Sequence, residues 1–245
     1  MTRDDERLNR AFWESTSAEY QAEHSAELDA APLAWGTWRI PESEVGALGD
    51  LGGLDVLELG CGGGQWSIAL AALGVHVVGL DLSWGQLAHA RRAAAHLPLV
   101  QGSAEAIPVA ADSFDLVFCD HGAMTFADPD SSVPEVARVL RPAGRLVFCN
   151  STLLRVMCLD DDWAVTTTLH RDAFGLKRVT DGESVDFVLP HAAWIRLFRR
   201  HGLVVDDLIE LRPSRGATTT YPWFASYEWA SRWPAEEIWV ARKPA

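Results

Sequence analysis

The chain has 245 residues, enough for one sizeable core, and its 48% hydrophobic and 22% charged content is that of a globular protein. Against 21 basic residues stand 34 acidic ones, a formal net charge of −13, which disfavours nucleic acid or an anionic membrane as partner, because their phosphates demand clustered Lys and Arg. The charged start "MTRDDERLNRAFW" lacks a secretory apolar segment, and no stretch approaches the roughly 20 apolar residues of a membrane span. Cys61, Cys119, Cys149 and Cys158 form no CxxC pair. The expectation is a cytoplasmic protein with reduced thiols, a small-molecule partner, and a monomeric or homodimeric state.

In chain order, residues 4–30 are polar with Leu8, Phe12, Trp13 and Tyr20 as apolar or aromatic points, and predict one or two helices. "APLAWGTWRIPESEVGAL" is a Pro- and Gly-punctuated connection leading into a short helix. A strand–helix rhythm then sets in. "LDVLEL" is a buried strand, "QWSIALAALG" a helix closed by Gly74, "HVVGLDLS" a strand, and "SWGQLAHARRAAAH" a helix with Ser83 as N-cap. "LPLVQGSA" and "FDLVFCDHG" are strands, "DSSVPEVARVLRPAG" a helix with a Pro-Gly stop, and "RLVFCNS" a strand. Residues 151–185 break the rhythm and read as an inserted lid. "AAWIRLFRRHG" is a helix, and "LVVDDLIEL" and "EEIWVARKP" are the last strands.

Strands alternating with helices at this spacing predict right-handed βαβ units, hence an α/β fold with a doubly wound, mostly parallel sheet of seven strands and helices on both faces. One domain spans 1–245. It divides into a helical N-terminal cap (1–50), a ligand-binding core (54–150), an inserted segment (151–190), and C-terminal strands and helix (191–245).

The chemistry concentrates in "LDVLELGCGGGQWSIALAALGVHVVGLDLS", where a Gly-rich turn follows one strand and an acid ends the next. A dinucleotide site needs G-x-G-x-x-G. Gly60 and Gly62 fit, but Gln65 stands at the third glycine position, and Glu58 is unwelcome beside a pyrophosphate.

"ELGCGGG" (Glu58 to Gly64) instead resembles the E/D-x-G-x-G-x-G first motif of the class I S-adenosylmethionine-dependent methyltransferases, which have a Rossmann-like fold. The resemblance implies S-adenosylmethionine as donor and S-adenosylhomocysteine as product. That ligand carries a sulfonium and an ammonium but no phosphate, so an acid at the loop attracts it, and Gly60, Gly62 and Gly64 let the backbone approach. Gln65 and Trp66 begin the following helix, Trp66 facing either core or ligand. Asp81, about 20 residues on, would hold the ribose hydroxyls; Leu82 would pack on the adenine, and Gln86 lies on the helix beyond. "QGSAEAIPVAADSFDLVFCDHGAMTF" is similar to the family's adenine loop and fourth strand, which implicates Ser103, Ala104 and Glu105.

Asp120 and His121 end that strand facing the methyl-donor pocket. His121 is the candidate general base, since histidine titrates near neutrality, and Asp120 would contact the donor's ammonium or orient the base. Tyr20 is the candidate lid residue, with Trp13 and His24 on the acceptor side. Trp13, Trp35, Trp38, Trp163, Trp194 and Trp223 together suggest an aromatic pocket for a flat acceptor. Catechol-type relatives hold magnesium through an acid after the fourth strand and an Asp-Asn pair after the fifth. Here Asn150 is preceded by Cys149, and no metal is expected. The tail "LRPSRGATTTYPWFASYEWASRWPAEEIWVARKP" is similar to actinobacterial members of the family. The implied activity is methylation of a small aromatic or hydroxylated metabolite, at oxygen by default. N- or C-methylation and non-catalytic donor binding are the alternatives.

Overall fold

The computed structural model describes residues 2–245, so Met1 of the expected 1–50 cap lies outside the described residues. One continuous helix, α1 (Thr2–Ala30), forms where the sequence allows one or two. Its buried anchor is Asn9, whose amide donates to the Phe126 and Val185 carbonyls at 2.6 and 2.9 Å and accepts from the Val185 N–H at 2.7 Å. A miniature hairpin follows, β1 (Ala34–Trp35) and β2 (Ile40–Pro41), and then α2 (Glu42–Val45). Strands of two residues carry no readable period, so the sequence alone gives only a connection there.

The alternation then runs β3 (Asp55–Leu59), α3 (Gln65–Ala72), β4 (His76–Asp81), α4 (Trp84–Ala93), β5 (Leu99–Gln101), β6 (Phe114–Asp120), α5 (Ala123–Phe126), α6 (Pro129–Val139) and β7 (Leu140–Ser151). Ser83 caps α4 by accepting from the Gln86 N–H. The helix expected to run to a Pro-Gly stop ends earlier, at Val139. Leu140 already pairs with Phe114, and the register shift that follows places "RPAG" inside β7. The inserted segment holds α7 (Leu153–Met157) and a hairpin of β8 (Arg178–Thr180) and β9 (Val185–Phe187). The chain closes with α8 (His191–Arg200), β10 (Val204–Glu210), α9 (Tyr227–Ala230) and β11 (Glu236–Arg242).

Among the described residues the main sheet has seven strands in the order β10-β11-β7-β6-β3-β4-β5. β11 runs antiparallel to both neighbours, and the remaining pairs are parallel. Alternate residues feed opposite faces. Leu116 and Phe118 join one core with α3 and α9, through Trp66, Leu70 and Trp229. Val117 and Cys119 join the other with α6 and α8, through Val133, Val136, Trp194 and Phe198. Phe118 and Phe148, both fully buried, face opposite cores, each worth roughly 1.5–3 kcal/mol of burial.

Two consequences of this topology position the site. The chain steps β3, β4, β5 outward, then returns to lay β6 against the other side of β3, which opens a crevice at their carboxyl ends. Because β11 is antiparallel, its first residue arrives at that same end, with Glu236 opposite Ser151, the last residue of β7.

Candidate active site

The crevice is a cavity with about 1130 Å³ of empty space, part of it open to solvent, at the carboxyl ends of β3, β4 and β6. It is walled by the turn after β3, by α1, by the loop of the β1–β2 hairpin, and by the segment after β5. Gly60 has φ +81°, and a Cβ there would lie 2.3 Å from the Ala123 nitrogen; a Cβ on Gly122 would lie 2.5 Å from the Gly60 carbonyl oxygen. The β3 and β6 loops therefore touch backbone to backbone, which only glycine allows. A Cβ on Gly63 would lie 2.7 Å from the Gln21 side-chain amide, a contact the flexible glutamine can relieve.

Of the residues singled out from the sequence, Tyr20, Glu58, Gly60, Gly62, Gln65, Trp66, Asp81, Leu82, Gln86, Ser103, Ala104, Glu105, Asp120 and His121 all line this cavity. Gly64 lies outside it. It packs against α4, where a Cβ would meet that of Ala90 at 3.0 Å, so its requirement is helix packing.

Several expected roles change in detail. The Glu58 carboxylate accepts from the Ser67 N–H at 2.9 Å and from the Ser67 hydroxyl. Burial pushes Glu58 up to about 8, against the pull of those bonds, so it carries little charge at neutral pH. The acid expected to attract the cationic ligand is thus mostly a buried structural acid. Asp81 accepts from the Gly62 and Ser83 N–H groups, both at 2.8 Å, and burial raises it to about 6. The Ser103 hydroxyl donates to Glu6 of α1 at 2.9 Å. Glu105 accepts from the Asp128 N–H at 2.9 Å, and burial raises its pKa. Gln21, Gln86 and Gln65 form a chain of amides: Gln21 donates to Gln86 at 2.9 Å and accepts from Gln65 at 3.2 Å.

Asp120 does not orient His121 by a hydrogen bond. Its Oδ1 accepts from the Gly36 N–H at 2.9 Å, and its Oδ2 faces Trp66 Nε1 at 3.3 Å and Arg39 at 3.5 Å. The partner of His121 is Glu236, with Nε2 to Oε1 at 2.7 Å. Glu236 is 1% exposed and is fixed further by the Thr37 N–H at 2.6 Å and hydroxyl at 3.1 Å. Burial opposes a charge on His121, but the hydrogen bond and charge of Glu236, helped by Asp120, outweigh it, and the imidazole pKa lies above its ordinary value. His121 itself sits at φ +49° in the turn after β6.

A second cavity, of about 1520 Å³ of empty space partly open to solvent, adjoins the first. The two share Trp13, Tyr20, Thr37, His121, Phe126 and Tyr221 as a common wall. Trp13, Trp163 and Trp223 line the second cavity, as does His24. Trp35, Trp38 and Trp194 do not: all three are core residues. The aromatic pocket is completed by residues the sequence does not single out, Phe12, Phe126, Tyr221 and Phe224. Tyr20 and Tyr221 clasp hydroxyl to hydroxyl at 2.8 Å across the wall.

Asp120, His121 and Cys149 bring one ligand atom each within 4.8 Å of one another. Asp120 is already committed to Arg39 and Trp66, His121 to Glu236, and burial raises the Cys149 thiol well above its usual range. All four cysteines are free and buried. No described helix is long and apolar enough to cross a membrane.

Residues 57–148 match the family model described as "Methyltransferase domain". Similar curated proteins include the demethylmenaquinone methyltransferases of Clavibacter sepedonicus, 37% identical over 115 residues, and of Mycobacterium sp. (strain JLS), 40% identical over 103 residues. The aligned regions cover 46% and 42% of this chain, and the chain spans about half the length of those relatives (46% and 44%). An S-adenosylmethionine dependent methyltransferase from Mesorhizobium loti superposes with a TM-score of 0.65 at 23% identity, over 82% of this chain and 95% of its own. A geranyl diphosphate C-methyltransferase from Streptomyces coelicolor A3(2), solved with S-adenosyl-L-homocysteine, gives 0.58 at 18% identity, over 82% and 77%. The matched span contains the glycine turn, and the seven-stranded sheet around it has the fold of these solved methyltransferases.

Proposed function

We propose that the chain transfers the methyl group of S-adenosylmethionine to a hydroxyl oxygen of a small aromatic metabolite. The donor occupies the first cavity, the acceptor the second, and His121 stands between them as general base. One observation carries this: His121 lines both cavities while a buried carboxylate holds its Nε2 at 2.7 Å. Methyl transfer is an in-line displacement on an already activated sulfonium, so holding two reactants across a shared wall supplies much of the rate, and a base takes the proton the acceptor hydroxyl loses.

The remaining roles follow from position. Asp81 and Leu82 receive the ribose and adenine, with Ser103, Ala104 and Glu105 along the adenine edge, and Asp120 receives the ammonium. Gly60, Gly62, Gln65, Trp66 and Gln86 shape the floor, and Tyr20 with Tyr221 closes the roof. The adenine and ribose contacts require Ser103 and Asp81 to share their present hydrogen bonds with the ligand. Residues 151–190, which contribute much of the second cavity's wall, select the acceptor. The relatives named as demethylmenaquinone methyltransferases support a ring-bearing acceptor. The net charge of −13 supports a small molecule in the cytoplasm over nucleic acid or membrane. A base that deprotonates a ring hydroxyl also activates the neighbouring ring carbon, so methylation at carbon is the second reading.

The test is transfer of labelled methyl from S-adenosylmethionine to a panel of hydroxyarenes, with product analysis to locate the new methyl. His121→Ala is expected to lower kcat about 100-fold or more while S-adenosylhomocysteine affinity stays within about threefold. Unchanged turnover in that variant would remove His121 from the chemistry and favour an acceptor that needs no base.

A further inference from the structure

We propose that Arg155 is the specificity-determining residue of the second cavity and that it binds a carboxylate on the aromatic acceptor. This rests on the second cavity being the acceptor site. Arg155 lies on α7 and is 94% buried, being 6% exposed, yet it lines that cavity. Its side chain is held on three sides. Nε donates to the Phe224 carbonyl at 2.7 Å, Nη1 donates to the Ser151 hydroxyl at 3.3 Å, and the guanidinium lies 3.6 Å over the centre of the Phe224 ring. Nη2 makes no hydrogen bond among the described residues, and no carboxylate among them comes within ion-pair distance of this guanidinium.

A buried guanidinium without an ion-pair partner is costly. Burial lowers Arg155 to about 10, which still leaves it charged at neutral pH. Its neighbours Asp186 and Glu236 act on it only through space, and Glu236 is committed to His121 and Thr37. A fixed, charged, planar donor with a free amino group, on the wall of a cavity of aromatic rings, matches a ring that bears a carboxylate. The acceptor class is therefore a hydroxyarene carboxylate. The ring stacks among Trp13, Trp163 and Phe224, the carboxylate meets Arg155, and the hydroxyl is left to face His121. Asp186 lines the same cavity and acts as a counterweight, weakening any anion that binds there.

The test is calorimetric titration of the full chain, loaded with S-adenosylhomocysteine, with matched probes: 3,4-dihydroxybenzoate against catechol, and 4-hydroxybenzoate against phenol. The native chain is expected to bind each carboxylate at least tenfold tighter than its neutral counterpart. In Arg155→Met that preference falls below about threefold, with S-adenosylhomocysteine affinity unchanged. Should Arg155→Met not fold, Arg155→Lys serves instead: it keeps the buried positive charge but loses the planar fork, and is expected to cut the carboxylate preference several-fold, whereas a preference set only by the general charge of the cavity would survive it. No carboxylate preference in the native chain, or a preference that survives Arg155→Met or Arg155→Lys, each overturns the proposal. Failure of S-adenosylhomocysteine to bind would instead count against the donor site, and the carboxylate preference can still be read on the unloaded chain.

Discussion

Glu236 decides what His121 can do. A base must be neutral to accept a proton, and Glu236 holds the imidazole pKa above its ordinary value by stabilising the protonated form. The acid limb of kcat/KM is therefore expected to have its midpoint above the ordinary histidine range, with the rate rising as pH rises through it. In Glu236→Gln the main raising cause is gone and burial is opposed only by the more weakly acting Asp120, so the midpoint moves to lower pH and the high-pH plateau falls; a pH-rate profile of the two proteins checks this. Glu58 gives a second pH effect, on stability. Its folded pKa of about 8 lies above the ordinary 4.5, so the folded chain holds that proton more tightly than the unfolded one. The contribution is complete below about pH 4.5, is lost as pH rises from there to about 8, and does not change further above that. Relative to Glu58→Gln, the native Tm is expected to fall by on the order of 5 °C between pH 6 and pH 9, measured by scanning calorimetry. His121 is legible in the sequence because it follows a strand that a motif identifies. Its carboxylate is not, since Glu236 is 115 positions away and looks like the polar start of an apolar strand.

At the scale of elements, the roof over the first cavity is made by two segments far apart in sequence, α1 and the loop before α9, joined by the Tyr20–Tyr221 hydrogen bond. Opening that roof requires breaking this bond, worth about 1 kcal/mol net. Tyr221→Phe is therefore expected to release S-adenosylhomocysteine about fivefold faster in stopped-flow, and to lower folding stability by about 1 kcal/mol. The strands and helices from β3 to β7 could be read because each is buried in a local pattern: the run in β3, the Ser83 cap before α4, the glycine turn between β3 and α3. α7 and the β8–β9 hairpin could not, because they are short and held by packing rather than period. Arg155 went unseen with them. Pro142 and Gly144 mislead as a helix stop, since cross-strand pairing with β6 claims the chain from Leu140 onward.

In the molecule as a whole, the sheet order brings the switch point between β3 and β6, the cap α1, and the first residue of the antiparallel strand β11 to one end. The two cavities meet there with His121 on their shared wall. The most direct measurement is calorimetric titration of the native chain and of Asp81→Ala with S-adenosylhomocysteine, with NADH and NADPH as controls. Micromolar binding of S-adenosylhomocysteine alone, weakened tenfold or more by Asp81→Ala, is the expected result. Binding of a dinucleotide instead, or affinity for S-adenosylhomocysteine that Asp81→Ala leaves unchanged, would contradict the placement of the donor in the crevice between β3 and β6.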